Sequence, residues 1–199
     1  MPSTQTVSTG QSPVPWPDVW PISVDRYHSM IEAGILGPDD RVELLQGRLV
    51  EKMPKNPPHA VANRLIDIAL AAAVPAGWTV TNQSPLTTAD SEPEPDVMVF
   101  RGSLKDYLHR HPTPAEVPLV VETADSSLGR DRGIKRLLYA AAAVENYWIA
   151  NLVDRQIEWY SRPVNGDYTE ISFYLPGDEI PVVLGGNAAA SIPVERLLP

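Results

Sequence analysis

The chain contains no cysteine in 199 residues, which excludes disulfides, thiolate metal centres and a cysteine nucleophile. Histidine is scarce as well: there are four, His28, His59, His109 and His111, and their spacing matches no zinc motif. Any metal site in this chain is therefore expected to use oxygen ligands. Long apolar runs are missing too, none approaching the roughly 18 residues of a membrane span. The opening stretch MPSTQTVSTGQSPVPWP has neither the basic start nor the apolar core of a signal peptide, so a cytoplasmic protein without a membrane partner is expected. Positive charge is in deficit, with 16 Lys and Arg against 25 Asp and Glu, a net charge of −9 and a pI of about 4.8. That balance opposes nonspecific attraction to nucleic acid, because affinity for phosphates comes largely from Lys and Arg. Charge is local, however. Arg130, Arg132, Lys135 and Arg136 cluster in one short stretch while the acids are spread out, which is compatible with a basic cleft on an acidic body.

What is present suits one domain: 199 residues, 43% hydrophobic, suffice for a single sizeable core. Residues 1–22, with five prolines and many Ser, Thr and Gln, read as a flexible tail that packs only near Trp16 and Trp20, leaving a domain over 23–199. Ser23 caps a predicted helix that runs to about Leu36, burying Val24, Tyr27, Ile31 and Ile35 before Gly37-Pro38 stops it. RVELLQGRLVEKM, 41–53, predicts a hairpin around Gln46-Gly47. Asn56-Pro57 starts a helix over 57–74 whose apolar face is Val61, Leu65, Ile68 and Ala72.

WTVTNQSPLTT and PDVMVF supply strands, with ADSEPEP as the turn between them, followed by an irregular connection over 101–117. PLVVETA is an apolar run ended by an acid, as in a strand buried on both faces. From Asp131 a helix carries the stripe Ile134, Leu137, Leu138 and Ala141, and YWIANLVDRQIEWYS predicts a hairpin turning near Asp154-Arg155. EISFYL, PVVL and SIPVERLLP add edge strands and a closing turn, one of which offers an edge for a homodimer.

Three residues carry the chemistry. Asp96 begins an apolar run after Pro95, and Glu122 lies in or at the edge of a buried strand, where an unpaired carboxylate is costly. A cation, metal or lysine, is its natural compensation. Lys135 flanks the buried side of the following helix, with Asp131 and Tyr139 one turn away on either side. Two carboxylates on neighbouring strands suit Mg²⁺ or Mn²⁺, and an ammonium beside them can orient water and offset phosphoryl charge. The bland readings are an exposed Asp131–Lys135 pair and a strand-end Asp96. Glu43 is either a further acid of the site or a cross-strand partner of Arg48, and His59 a capping or packing residue or a base. A serine hydrolase on Ser126 or Ser127 lacks a nucleophile elbow and a paired histidine.

RVELLQGRLVE, PPHA, EPDVMVF, LVVETADSS, DRGIKRLLYA and NYWI, in this order, resemble the Uma-two family of bacterial proteins over about residues 23–199. The resemblance implies an α/β fold of the PD-(D/E)xK restriction-endonuclease-like type, a mixed sheet flanked by helices, here with an N-terminal hairpin and extra C-terminal strands. It implies a metal-dependent endonuclease acting on nucleic acid, DNA first, with a noncatalytic binding module of the same fold as the alternative. By the same resemblance Asp96, Glu122 and the Thr123 carbonyl hold the metal, and Lys135 stands on the helix while Ala124 takes the usual lysine position. Glu43 and Tyr139 match further positions of the same pattern, Glu43 as part of the site and Tyr139 as a candidate support, and His59 is a second candidate support read from its place in the first turn of its helix. Ala143 replaces a glycine common before the next strand, and Asn151 an aspartate.

Overall fold

Six residues, Leu119–Ala124, form the strand around which everything else is arranged, and all six are buried. The computed structural model describes residues 19–199, so the expected tail over 1–22 falls almost wholly outside the described residues. In chain order the elements are α1 (Val24–Glu32), the hairpin β1 (Val42–Leu45) and β2 (Arg48–Glu51), α2 (Pro57–Ala73), β3 (Trp78–Asn82), β4 (Val97–Arg101) and β5 (Leu119–Ala124). A helical segment follows: α3 (Leu128–Arg130), a π-helical stretch (Asp131–Lys135) and α4 (Arg136–Ala141). Then come β6 (Asn146–Asn151), β7 (Gln156–Val164), β8 (Asp167–Tyr174), and the hairpin β9 (Glu179–Leu184) and β10 (Asn187–Pro193).

The central sheet has the order β3-β4-β5-β6-β7-β8 and is antiparallel throughout except for β5 and β6, which run parallel. A parallel pair needs a crossover, and the helical segment from Leu128 supplies it. Alternate residues of each strand feed two cores. Val97, Val99, Leu119, Val121, Trp148 and Ala150 pack with Ile66 and Leu70 of α2 and with the β9–β10 hairpin. Met98, Phe100, Val120, Tyr147 and Ile149 face Leu138 and Tyr139 on the other side. The mixed sheet between helices is the α/β architecture that the sequence implied.

Local chemistry explains the boundaries. Gln46 and Gly47 both have positive φ, as a two-residue hairpin turn of matching twist requires. A Cβ on Gly47 would also lie 2.6 Å from that of Pro21. Helix α1 starts as expected, Ser23 Oγ accepting from the Arg26 N–H, but ends at Glu32 instead of Leu36. Gly34 turns left-handed there, and Ile31 and Ile35 are exposed.

Helix α2 has its expected span but not its expected face: Ala62, Asn63, Ile66, Ala69 and Leu70 are buried, while Val61 and Ile68 are exposed. The helix is apolar nearly all round, so periodicity left its orientation open, and the Asn63 contact with Asp96 turns that side inward. Likewise Ile134 and Leu137 are exposed and the inward face is Asp131, Lys135, Leu138 and Tyr139. ADSEPEP is no simple turn either. It runs in a longer loop that bridges to β1 through Leu44 and Glu92.

Helix α4 ends in a Schellman arrangement, with the Val144 N–H donating to the Tyr139 carbonyl and the Ala143 N–H to that of Ala140. This places Ala143 at φ +60°, a region where Cβ crowds the backbone. Ala143→Gly is expected to raise the unfolding free energy by about 1 kcal/mol, measured as a higher urea midpoint at unchanged slope. No gain would mean that the turn bears no strain.

Candidate functional site

Strands β4 and β5 are paired only from Val99↔Leu119 to Val97↔Val121 and then part. Into the gap goes the side chain of Asp96, whose Oδ2 accepts the Thr123 N–H at 3.0 Å. Because β5 alternates, Glu122 points to the α4 side while Thr123 stands with α2. Lys135 Nζ donates to Glu122 Oε1 at 2.9 Å, and the Tyr139 hydroxyl donates to the same oxygen at 2.7 Å. The other oxygen of Glu122 has no hydrogen-bond partner among the described residues. Glu43 lies 3.6 Å from Lys135 Nζ and accepts the Glu94 N–H at 3.1 Å. It faces Val50 across the hairpin, so the Arg48 pairing is not formed.

Glu43, Asp96, Glu122, Thr123 and Lys135 line one cleft of about 520 Å³, together with Lys55, His59, Arg130 and Asp131, while Tyr139 lies fully buried behind Glu122. His59 does two things: its N–H is capped by Asn56 Oδ1, and its Nε2 stands 3.2 Å from Asp96 Oδ2. Asp131 is buried and accepts from Ser127 Oγ at 2.6 Å, which replaces the exposed Asp131–Lys135 pair of the bland reading. The expected basic cluster is only half in the cleft. Arg132 turns to Glu158 and Arg136 to Asp167, leaving Arg130 and Lys135 at the site.

Three members of the site gave no clear signal in sequence. Lys55 Nζ and Asn63 Nδ2 donate to Asp96 Oδ1 at 2.9 and 2.8 Å. Asp131 is the third, having been read as a helix-surface acid. Asn63 was findable: it lies one turn after His59, a second polar side chain on what proves to be the inward face of α2.

The two principal acids are held in opposite ways. Burial pushes the Asp96 carboxyl up, but the His59 contact, the Lys55 ammonium and the Thr123 N–H outweigh it and hold it well below the usual carboxylate range. For Glu122 burial prevails over the pull of Lys135, and with Asp96, Asp131 and Glu43 adding repulsion its carboxyl is pushed up to about 8. Lys135 is raised: burial opposes its charge, yet Glu122, Glu43 and Asp131 together more than offset that.

Among the described residues no three His, Asp or Glu side chains form a ready-made metal cage. The donors present suit Mg²⁺ or Mn²⁺ all the same. Mg²⁺ commonly takes one or two carboxylates and keeps several waters, and Glu122 offers a carboxyl oxygen without a protein partner in a site crowded with acids. The residues that fit such an ion are Asp96, Glu122 and the main chain at Thr123.

A pH dependence follows from Glu122. Its carboxyl titrates near 4.5 when unfolded and near 8 when folded, so the neutral form is favoured by folding. That contribution is complete below pH ~4.5 and is lost as pH rises toward 8. Metal-free protein is expected to lose unfolding free energy across this window, and Glu122→Gln to flatten the slope. Equal slopes in denaturant titrations of the two proteins would refute the assignment.

The comparisons with known proteins bear on the family and the fold. No curated protein matches significantly. Among solved structures, one described as a "putative nuclease belonging to DUF820" from Anabaena variabilis ATCC 29413 superposes with a TM-score of 0.67 at 14% identity, over 89% of this chain and 97% of that one. At that identity the likeness is one of fold. The family model Uma2, described as "Putative restriction endonuclease", matches residues 24–195, and the chain therefore belongs to the Uma2 family.

Proposed function

We propose that this protein is a divalent-metal-dependent endonuclease that hydrolyses phosphodiester bonds in nucleic acid, with DNA as the substrate. The observation that carries this reading is the convergence of Asp96 and Glu122 at the parting ends of β4 and β5, with the buried Lys135 ammonium 2.9 Å from Glu122. The nuclease family and fold support it. Arg41, Lys52, Lys55 and Arg130 at the cleft supply groups for phosphate contacts, which position a nucleic acid without reading its sequence.

Asp96, Glu122 and the Thr123 carbonyl would hold Mg²⁺ or Mn²⁺. When bound, such an ion supplies Lewis-acid polarisation of a phosphoryl oxygen and lowers the pKa of water. The protein's own groups do the rest. Lys135 orients the attacking water and offsets the negative charge on the phosphoryl oxygens as the water oxygen bonds to phosphorus and the P–O bond to the leaving oxygen breaks, the water giving up a proton to solvent and the leaving oxygen taking one from it. Glu43 shares the Lys135 ammonium with Glu122 and so fixes its position. Tyr139 holds Glu122, and His59 and Asn63 hold Asp96.

The test is cleavage of supercoiled plasmid, single-stranded DNA and RNA with Mn²⁺ or Mg²⁺. Wild type is expected to nick plasmid, and Asp96→Ala and Lys135→Ala each to lose about a hundredfold or more. Circular dichroism establishes that the variants are folded. A folded wild type inert on every substrate and metal would replace this reading with the noncatalytic binding module, which the net charge of −9 favours.

A further inference from the structure

Two ammonium groups serve the acids of the cleft, and they are held very differently. Lys135 has a side chain 9% exposed and is fixed between Glu122 and Glu43. Lys55 is 35% exposed, and Asp96 is its one ion-pair partner among the described residues. It belongs to the segment that joins β2 to α2 and forms a wall of the cleft. The segment is anchored on both sides of Lys55. Arg130 Nη1 donates to the Glu51 carbonyl at 2.9 Å and Lys52 pairs with Glu94 at 2.6 Å; beyond it, Asn56 Nδ2 donates to Asp125 at 2.6 Å. These contacts hold the segment on either side of Lys55, whose own side chain is tied to the cleft through Asp96.

The other three groups on Asp96, namely His59, Asn63 and the Thr123 N–H, come from α2 and β5 and cannot leave without disturbing them. Lys55 can. A buried carboxylate stays ionised only while a positive charge or strong donors compensate its lost hydration. In the absence of a divalent ion, the Lys55 ammonium, 2.9 Å from Asp96 Oδ1, shares that task with His59, and of the two it is the one on a side chain that can withdraw.

We infer that Lys55 is a tethered stand-in for the divalent cation, occupying Asp96 in the metal-free protein and released into the cleft when the metal binds. This rests on the metal-dependent reading of the site given above. Lys55 then acts as a built-in competitor. Metal affinity is reduced by the fraction of molecules in which Asp96 is open, and metal-free protein is kept from collapsing its acidic floor. The residue positions the site between two states and takes no part in bond breaking.

The measurement is calorimetric titration of Mn²⁺ into nucleic-acid-free protein, comparing wild type, Lys55→Gln and Lys55→Arg. Thermal melts are recorded with and without Mn²⁺. Lys55→Gln is expected to bind Mn²⁺ about tenfold more tightly, a difference of ~1.4 kcal/mol, and Lys55→Arg no more tightly than wild type. Metal-free Lys55→Gln should melt lower than wild type and recover the difference when Mn²⁺ is added. Unchanged or weaker Mn²⁺ binding by folded Lys55→Gln overturns the stand-in while leaving the metal site in place. Absence of Mn²⁺ binding in all three proteins overturns the metal-dependent reading, and this inference with it.

Discussion

Burying Glu43, Asp96, Glu122 and Asp131 in one cleft concentrates negative charge where water screens it poorly, and Lys135 makes that tolerable. An ammonium in such a place is costly to desolvate, so it persists only because several acids surround it. The dependence is mutual. Removing the lysine strands the acids, and removing the acids strands the lysine. The segments that bring the groups together, the parting of β4 and β5 and the helical crossover to β6, are arranged around this exchange of charge.

Another buried glutamate shows what a purely structural solution looks like in the same protein. Glu158 is fully buried, yet it accepts three hydrogen bonds from the Arg132 fork, one from Tyr160 and one from Asn151. Burial pushes its carboxyl up, but these donors outweigh it and bring it below its ordinary value. Glu122, equally hidden, is left with an oxygen unclaimed and its carboxyl raised. One acid has its needs met by the protein, and the other keeps an oxygen that no described residue claims. Asn151 also clarifies a departure from the family pattern. Its amide donates to both Asp154 and Glu158, which an aspartate, lacking donors, does not do.

Much of the fold was legible because it is written in short-range chemistry. The β1–β2 turn is set by Gln46-Gly47, the start of α2 by Asn56-Pro57, and β5 by an unbroken apolar run. Orientation was less legible. The inward faces of α2 and of the helix after Asp131 were misjudged because both carry apolar residues on more than one side, and the deciding contacts are polar: Asn63 to Asp96, and Lys135 to Glu122. Of the site, Asp96, Glu122 and Lys135 were visible as types in an order, and the structure does bring them together. Lys55 was not. It sits in a proline-bearing connection with no periodicity, and its contact spans 41 residues of chain.

The π-helical stretch is where the crossover and the site meet. The Arg136 N–H reaches back to the Asp131 carbonyl, five residues away, and the Tyr147 hydroxyl donates to that carbonyl at 3.2 Å. A turn of this kind holds one residue more than an α-helical turn. Everything before it, including Ser127 and Arg130, is thereby set at an angle to everything after it. Re-winding the same residues as an α-helix would rotate the two parts by about 100°, taking Asp131 and Arg130 out of step with Lys135 and Tyr139. Between Asp131 and Lys135, therefore, the wide winding is constrained more tightly than the identity of the exposed Ile134. The segment tolerates a change of letter at such a position but not a return of the same residues to the narrower helix.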